Sequence, residues 1–501
     1  MPFVAGTVTD AVGNPAARTV RIFHRDSGVL LGEAVSDAVT GEFTIHTVTS
    51  DEVQRIALDD NSTVPLKNDL IARVMPGGTS PLVPAWGTGT RSDVFAAMQA
   101  LFHDDLVPEV YYLPDDLTAQ ASSARWSVAV LAPNGCIYGI PLSATHVLKI
   151  DPATDTVTTI GPELTGVSKY QAAVLASNGM IYAPPRYDTN AILKIDPATD
   201  TVTTFGEFLG TNKWFSLVEG ANGKLYAAPY DYGEVLEIDP ATDTATTFGS
   251  GVAAGSGYSR TLQAAANGNL YAFPYANDKV LKIDPVARTT TKIGNSSGSS
   301  YACIASVTTP DGVMYGLPYN MSSMMRVDPS TDTVTAVGVF DVNNTGTSSA
   351  FYRDAVVAPD GMVYALPYRA KAALRIDPAT DALTFFGDEG ILYKTNSSCF
   401  APNGRIYAPP CSASTTADLR GFELAPASLT YRAVSSALYD RAETYLYTSS
   451  VLAPNGKIYS LPCNASKIQV LSFTPDPRAR VSLDLLLHPA LNRGSGGYYE
   501  L

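Results

Sequence analysis

The sequence is poor in charge and in cysteine, and each shortage excludes a class of protein. Charged residues make up 16% of the 501 residues, and a net charge of −14 leaves no basic surface for nucleic-acid phosphates. Five cysteines without CxxC spacing predict neither a disulfide framework nor a zinc site. No apolar run approaches the roughly 20 residues that span a bilayer, and the first residues lack a signal-peptide pattern. We expect a protein made in a cytosol, without membrane insertion or nucleic-acid binding.

Glycine, proline and tyrosine are plentiful instead, and they recur together. An Asn-Gly or Asp-Gly pair occurs eight times, at intervals of 44, 44, 45, 44, 49, 43 and 52 residues. A tyrosine follows each glycine by three positions, and a proline follows the tyrosine by three more. Such linked matches indicate an internal repeat. The glycines are Gly135, Gly179, Gly223, Gly268, Gly312, Gly361, Gly404 and Gly456.

One unit, residues 127–161, shows what the repeat encodes. SVAVLAP alternates as a strand, and Asn134-Gly135 predicts a hairpin turn before the second strand, CIYGIP. HVLKID is a third strand, the segment Asp151–Asp155 (DPATD) a turn, and TVTTIG a fourth strand. Four short strands in every 44 residues or so predict a β-propeller of about eight blades.

Two features leave the ring incomplete. The eighth unit has no evident fourth strand, which either PEVYYLP (Pro108–Pro114) or RVSLDLLL (Arg480–Leu487) could supply. We favour the first, which would fasten the two ends of the ring. The seventh unit reads GFELAPAS (Gly421–Ser428) where others read IDPATD, so seven blades remain an alternative.

The N-terminal part of the chain is a different module. Residues 1–76 contain six short alternating segments between Gly, Asn and Asp turns, which predicts a small β-sandwich. Residues 77–107 form a linker in which DVFAAMQALF predicts a short helix. The propeller is expected over residues 108–487 and a C-terminal tail over 488–501. The fold class is therefore all-β.

Residues Gly6–Ile45 and Leu58–Pro76 resemble the carboxypeptidase-regulatory or transthyretin-like domain found in tailed-bacteriophage structural proteins. In those proteins the domain acts as an attachment or spacer module. This resemblance covers about one seventh of the chain. It implies a virion protein, assembled in the host cytoplasm, whose N-terminal module attaches to other virion subunits.

The repeat units are similar to the blades of the NHL, SMP-30 and virginiamycin B lyase class of propellers. That similarity implies the fold more than the activity, because this fold hosts many functions. A lyase of the virginiamycin type needs a catalytic histidine paired with metal-binding carboxylates, and only His146 of the five histidines lies in the blades. We therefore expect no catalytic residue, metal or cofactor, and no enzyme activity.

An aspartate opens the turn after the third strand in six units. Calcium needs six to eight oxygens around one point, whereas these aspartates are distributed around the ring. We therefore expect them to cap their own turns. They are Asp151, Asp196, Asp239, Asp284, Asp328 and Asp377.

The position after the repeat proline is the best candidate for a binding surface. By blade geometry it shares a face with the variable loops that join the blades, such as residues 161–170 and 338–352. An arc of tyrosines there could stack sugars or dock a protein; the alternative is that the rings only pack between blades. The candidate residues are Arg186, Tyr230, Tyr275, Tyr319 and Tyr368; the other units place Leu142, Cys411 and Cys463 at this position.

The sequence thus predicts a bacteriophage virion structural protein, either a tail or head fibre, a spike or a decoration protein. Its propeller would be a binding disc for a host-surface glycan or protein or for neighbouring subunits, in a homo-oligomer or symmetric assembly on the particle. The alternative is a propeller enzyme, a lyase or hydrolase, acting on a polysaccharide or lactone.

Overall fold

The computed structural model describes two compact units separately, one within residues 1–94 and one within residues 95–501. The described residues are six strands within 1–76 and then 106–121, 123–249, 252, 257–276, 279–295, 301–341, 350–387, 395–411, 421–434 and 446–475. The predicted linker helix, the alternative closing segment Arg480–Leu487 and the C-terminal tail lie outside them.

The described residues of the N-terminal unit form six strands, paired antiparallel in two sheets. One sheet has the order β3-β2-β5-β6 and the other pairs β1 with β4. The attachment role of this unit, and the predicted domain boundaries, stay predictions. The strands are β1 (Phe3–Thr7), β2 (Thr19–His24), β3 (Leu30–Val35), β4 (Glu42–His46), β5 (Val53–Leu58) and β6 (Ile71–Val74).

The second unit is a propeller of eight four-stranded antiparallel blades, so the eight-blade prediction is confirmed and the seven-blade alternative is wrong. Blades 1 to 4 are β8 (Trp126–Leu131), β9 (Ile137–Pro141), β10 (Val147–Asp151), β11 (Thr156–Ile160); β12 (Val174–Leu175), β13 (Ile181–Ala183), β14 (Ile192–Asp196), β15 (Thr201–Phe205); β16 (Val218–Glu219), β17 (Leu225–Ala227), β18 (Val235–Asp239), β19 (Thr244–Phe248); and β20 (Tyr258–Ala264), β21 (Leu270–Pro274), β22 (Val280–Asp284), β23 (Thr289–Ile293).

Blades 5 to 7 are β24 (Cys303–Thr308), β25 (Met314–Pro318), β26 (Met324–Asp328), β27 (Thr333–Val337); β28 (Val356–Val357), β29 (Val363–Ala365), β30 (Ala373–Asp377), β31 (Ala382–Phe386); and β32 (Cys399–Phe400), β33 (Ile406–Ala408), β34 (Gly421–Ala425), β35 (Thr430–Val434). Blade 8 is β36 (Tyr447–Leu452), β37 (Ile458–Pro462), β38 (Gln469–Pro475) and β7 (Leu106–Tyr112). The described residues otherwise include one 3₁₀ turn, Thr118–Gln120, and no helix among them could span a membrane.

The first strand of each blade is innermost. First strands of neighbouring blades meet across the channel wall, where the Ala129 amide donates to the Ser449 hydroxyl (3.0 Å) and Gln263 donates to the Ser306 hydroxyl (3.0 Å). Fourth strands such as β11 are largely exposed, as their Thr-rich sequences require. The second and third strands between them are almost wholly buried, which explains their continuous apolar runs.

The ring closes as predicted, with a strand from before the first unit. β7 pairs antiparallel with β38 over seven residues, from Tyr112 opposite Gln469 to Leu106 opposite Pro475. It thus occupies the fourth-strand position of blade 8. The seventh unit, despite its altered turn sequence, completes its blade with β34 and β35.

The three linked repeat positions have separate structural roles. Gly135 adopts φ +79°, and its amide donates to the carbonyl of Ala132. The hairpin loop therefore has three residues, a type I turn followed by a left-handed glycine, and is one residue longer than a two-residue hairpin loop. The buried Tyr138 hydroxyl donates to Asp200 in the turn of blade 2 (2.7 Å). The repeat tyrosine therefore connects one blade to the next. Pro141 ends the second strand.

The turn aspartates cap their own turns, as predicted. Asp151 accepts the amide proton of Ala153 (2.9 Å), and the residue that closes the turn, Asp155, is left-handed at φ +54°. The same capping bond forms at the equivalent aspartates Asp196, Asp239, Asp284, Asp328 and Asp377.

The hydrophobic core is a set of apolar layers between successive blades, one for each pair of neighbours. Between blades 1 and 2, for example, Tyr138 and Ile140 pack against Ile181 and Leu193. The smallest layer among the described residues lies between blades 7 and 8, around Tyr407 and Ile458, and a small cavity adjoins it. Most of the stability of the ring thus rests on contacts between blades.

Candidate functional site

One end of the channel, which we call the mouth, is formed where second strands end and the joining loops enter the next blade. In blades 1, 2, 3, 5, 6 and 8, the amide of the post-proline residue donates to the carbonyl of a residue that precedes the first strand of the same blade. The Tyr230 amide donates to Lys213, and the Lys213 amide donates to Arg186 (both 2.9 Å). This chain of bonds continues around much of the ring, for example from Tyr368 to Phe351 (2.8 Å) and from Phe351 to Tyr319 (3.0 Å). The candidate residues are therefore placed by main-chain geometry.

The first group at the mouth is a run of four rings with a guanidinium at one end. Arg186 lies over the ring of Phe215 at 4.5 Å, and Phe215 contacts Tyr230 with ring centroids 4.3 Å apart. The Tyr230 and Tyr275 centroids are 5.9 Å apart, and the Tyr275 and Tyr301 centroids 4.9 Å apart. Tyr230 and Tyr275 are partly exposed and Tyr301 is 48% exposed. We call these five residues the ring run; they offer an aromatic surface to solvent.

Gly257 makes room for the ring run. A Cβ atom at this position would lie 2.2 Å from Cδ2 of Tyr230 and 2.6 Å from its Cα, so no other residue fits without displacing the ring. The equivalent positions in blades 1 to 3 are Arg125, Lys169 and Lys213. Gly257 thus lacks a side chain at the place that the Tyr230 ring occupies.

Tyr301 is held in an uncommon backbone conformation. Its φ of +58° lies in the left-handed region, which costs a bulky side chain about 1 kcal/mol or more. The equivalent residues in other blades have the same conformation but are small or amide side chains, Ala124, Ser168, Asn212 and Ala350. A tyrosine is thus kept, exposed, where an asparagine or alanine would be less strained.

The second group, which we call the arginine sandwich, lies across blades 5 and 6. Arg353 stacks on Tyr368 at 3.6 Å and lies 5.5 Å from the ring of Tyr319. The two tyrosines are stacked with centroids 6.4 Å apart. Arg353 also donates to the Asn396 side chain (2.9 Å) and to the Tyr319 hydroxyl (3.1 Å). Tyr368 is only 2% exposed, because Ala350 and Cys411 pack against it in addition to the guanidinium.

The structure thus brings the sequence-predicted residues together in two groups. Tyr230 and Tyr275 join Arg186 in the ring run, whereas Tyr319 and Tyr368 belong to the arginine sandwich. At the remaining post-proline positions, Leu142, Cys411 and Cys463 are buried. The role of the five predicted residues in ligand binding stays a prediction.

Sequence reasoning missed Phe215, Tyr301 and Arg353. Phe215 and Arg353 occupy the same repeat position, directly after the residue that bridges to the repeat proline (Trp214 to Pro229, Tyr352 to Pro367). We call it the inner position; its side chain lies between the post-proline residues of its own and the preceding blade. Aligning the repeat units on the inner position as well as on the proline would have found both. No such signal marks Tyr301, whose importance lies in its φ angle.

Three further cations line the mouth from behind: Arg125, Lys169 and Lys213 are at most 2% exposed. Arg125 donates to the carbonyl oxygens of residues 464 and 465 (both 3.0 Å), Lys169 to that of residue 166 (2.8 Å), and Lys213 to that of residue 187 (3.3 Å). Burial lowers the pKa of Lys169 to about 8 and also lowers the pKa of Lys213, with Asp188 partly opposing both shifts. The cations hold the loops in place and add positive charge to the mouth.

Asp354 follows Arg353 on the channel side of blade 6. Its carboxylate accepts the Ser398 amide (2.6 Å) and hydroxyl (2.8 Å) from blade 7. Burial outweighs these bonds and raises the pKa of Asp354 to about 6. Among the described residues, no three His, Cys, Asp or Glu side chains converge as a metal site would require. His146 contacts Thr145 and lies in a loop of blade 1.

Comparisons with known proteins found one family model and a number of solved structures. A family described as a repeat of unknown function (DUF6923) matches residues 127–273. A streptogramin B lyase is 11% identical with a TM-score of 0.48, covering 74% of this chain and 98% of its own. A catalytically inactive virginiamycin B lyase from Staphylococcus aureus with quinupristin is 12% identical, with a TM-score of 0.48 and coverage of 73% and 99%. The Dos1 propeller is 12% identical, with a TM-score of 0.49 and coverage of 73% and 95%.

No curated protein matches the chain. The similarities assign no activity to this chain.

Proposed function

We propose that this protein is a non-enzymatic structural component of a bacteriophage virion whose propeller binds a glycan on the host surface. The ring run carries the proposal. Four aromatic side chains at the mouth form a continuous run in which each ring contacts the next. Three of them are partly or well exposed, and one, Tyr301, has a strained backbone conformation. Planar rings of this kind stack against the apolar faces of sugars.

Packing alone does not account for this surface. The tyrosines that connect the blades, such as Tyr138 and Tyr271, are fully buried with their hydroxyls bonded to the next blade. Tyr230, Tyr275 and Tyr301 are instead exposed to different degrees at the mouth. Strain retained at an exposed residue is characteristic of functional positions.

The virion part of the proposal rests on the N-terminal module, whose sequence resembles the attachment domains of phage structural proteins. We propose that this module binds capsid or tail subunits, in a symmetric assembly on the particle, and that the propeller is the disc available to the host. Fibre, spike and decoration roles all satisfy this description.

The first experiment is electron microscopy of particles that carry the protein, with an antibody against the propeller as a label. We expect label on intact particles, and release of the protein from particles when residues 1–76 are deleted. Absence of the protein from purified particles would overturn the virion role.

The second experiment measures binding of the purified chain to host cell envelopes. Tyr230→Ala and Tyr275→Ala should each weaken binding by roughly tenfold, since one aromatic stack contributes about 1–1.5 kcal/mol. Tyr187→Ala is the matched control, because Tyr187 is 40% exposed on a neighbouring loop with no ring contact to the run. Equal binding by all four proteins would remove the mouth from consideration.

The alternative is a lyase or hydrolase acting on a polysaccharide or lactone, and the raised pKa of Asp354 in the channel favours it, since general acids often have such a pKa. If the chain cleaves envelope polysaccharide, chromatography will show shorter products with the wild type and none with Asp354→Asn. That result would replace the non-enzymatic proposal.

A further inference from the structure

Both groups at the mouth are built from the post-proline position and the inner position, but the position that carries the cation in one group carries an aromatic ring in the other. In the ring run, the post-proline position supplies the cation, Arg186, and the inner position supplies the ring of Phe215. In the arginine sandwich, the inner position supplies the cation, Arg353, and the post-proline positions supply the rings of Tyr319 and Tyr368. Each group therefore combines one guanidinium with two or more aromatic rings.

The stacking fixes the plane of each guanidinium. Arg186 lies on Phe215 while it donates to Gln171 (3.0 Å), and Arg353 lies on Tyr368 while it donates to Asn396 (2.9 Å). A guanidinium held by its face is preorganised for in-plane contacts, and its planar fork matches a carboxylate. Little side-chain entropy remains to be lost when an anion binds.

Buried cations also lie at the mouth. Arg125, Lys169 and Lys213 line the side formed by blades 1 to 3, beside Arg186. The repeated aspartates, by contrast, lie in the turns between third and fourth strands, at the opposite end of the blades. Among the described residues, acidic side chains also lie in the loops near the mouth: Glu163, Asp188, Glu207, Asp231, Glu234, Asp341 and Asp354. An anionic ligand thus meets local positive charge beside Arg186, although the net charge of the chain is −14.

We propose that the mouth binds an acidic glycan, whose sugar rings stack on Tyr230 and Tyr275 and whose carboxylates contact Arg186 and Arg353. This inference rests on the proposed glycan-binding function and names its ligand class. A neutral glycan would use the rings alone, and the two stacked arginines would then add nothing to its affinity.

The test compares each acidic sugar with its own neutral form by titration calorimetry. The probes are oligogalacturonate and oligosialic acid, each with a methyl-esterified counterpart that keeps the sugar ring and removes the charge. We expect the wild type to bind at least one acidic probe about tenfold or more tightly than its ester. That preference should shrink between low ionic strength and about 0.15 M salt.

The repeat itself offers conservative variants. Arg186→Leu introduces the residue found at the equivalent Leu142, and Arg353→Asn the residue found at Asn396. Both should lower affinity for the acidic probe about tenfold while leaving affinity for the ester unchanged. Arg432→Leu removes an arginine that is 64% exposed on the outer strand of blade 7, and it should change neither. Thermal unfolding shows whether each variant is folded. If Arg353→Asn is unfolded, the affinities of Arg186→Leu and the salt dependence of the wild type still test the proposal.

The outcomes separate the two proposals. Equal affinity for acid and ester, unaffected by Arg186→Leu, overturns the acidic ligand and leaves glycan binding intact. Binding of neither form, by a protein that also fails to bind host envelopes, overturns both. Loss of both forms in Tyr230→Ala, with loss of the acid alone in Arg186→Leu, supports both.

Discussion

Glu237 and Arg288 form an ion pair between blades 3 and 4 in which the charges are exchanged relative to the pairs that join blades 1 and 2, 2 and 3, and 4 and 5. In blade 1, Lys149 on the third strand lies 2.5 Å from Asp200 in the next turn. Glu237 replaces that lysine and Arg288 that aspartate, and their side chains are 2.7 Å apart. The unexchanged form recurs between Lys194 and Asp243 and between Lys282 and Asp332. Opposite charges therefore face each other at this junction as at the others, with the two residue types in exchanged positions.

The contribution of this exchanged ion pair to stability can be measured with a double-mutant cycle. Glu237→Lys alone should destabilise the protein by about 1–3 kcal/mol, because Glu237 is only 7% exposed and the new cation meets Arg288. Arg288→Asp alone should also destabilise, and the double variant should recover about 1 kcal/mol or more by restoring the arrangement of blade 1. Urea unfolding measures all three.

The cycle is best run in a Lys224→Met background, since Lys224 also contacts Glu237 at 3.0 Å and Met180 occupies its position in blade 2. Additive effects of the two substitutions would show that the pair contributes nothing to stability.

The blades could be predicted from the sequence because the repeated residues determine local backbone conformations within each unit. Asn134-Gly135 and the turn from Asp151 to Asp155 need only local conformations, so their roles could be derived from residue type and spacing. The bond from Tyr138 to Asp200 could not, because it joins residues 62 apart through the packing of one blade on the next. The repeat marks such a tyrosine as important without showing its partner.

The mouth was only partly predictable for a similar reason. The proline marks where the second strand ends, and so identifies Tyr230. The contact of Phe215 with Tyr230 depends on the bridge between Trp214 and Pro229, which sets the register of the two strands. The partition into two groups depends further on Arg353, whose equivalents in other blades carry no charge.

The strand that closes the ring gives a second prediction. Val110 on β7 packs toward Tyr407 and Leu471, whereas its neighbour Glu109 is exposed. Val110→Asp should therefore lower the free energy of unfolding by about 2–3 kcal/mol, because it places a charge in an apolar layer that is already the smallest described. Glu109→Ala, on the other face of the same strand, should change it by less than about 0.5 kcal/mol. Urea denaturation with limited proteolysis makes the comparison; equal midpoints would mean that β7 does not hold the ring together.

Tyr301 allows binding to be separated from stability. Tyr301→Asn should leave stability unchanged or raise it by up to about 1 kcal/mol, because asparagine tolerates the left-handed φ of +58° that Asn212 adopts in blade 3. The same change removes the outermost ring from contact with Tyr275, so glycan or envelope binding should weaken severalfold. Thermal unfolding and the envelope-binding assay are the two measurements. A variant that is both less stable and fully active in binding would contradict both parts of the argument.

The buried Lys169 gives the stability of the propeller a predictable dependence on pH. Burial lowers its pKa in the folded protein to about 8, below the ordinary lysine pKa of 10.5 in the unfolded chain. Between these values the unfolded state binds more protons, so the contribution of Lys169 to stability rises with pH by at most about 1.4 kcal/mol per unit. Below about pH 7 both states are protonated, and the cost of burying the charge is constant.

Lys169→Met isolates this contribution, because the two proteins share every other titrating group, including Lys213 and the tyrosines. We expect the unfolding free energy of the wild type, relative to the variant, to be flat up to about pH 7 and to increase by roughly 1–2 kcal/mol by about pH 9.5. Urea unfolding at a series of pH values measures the difference. A difference that stays constant across this range would mean that Lys169 titrates normally, and that the loop carbonyl at residue 166 together with Asp188 compensates fully for its burial.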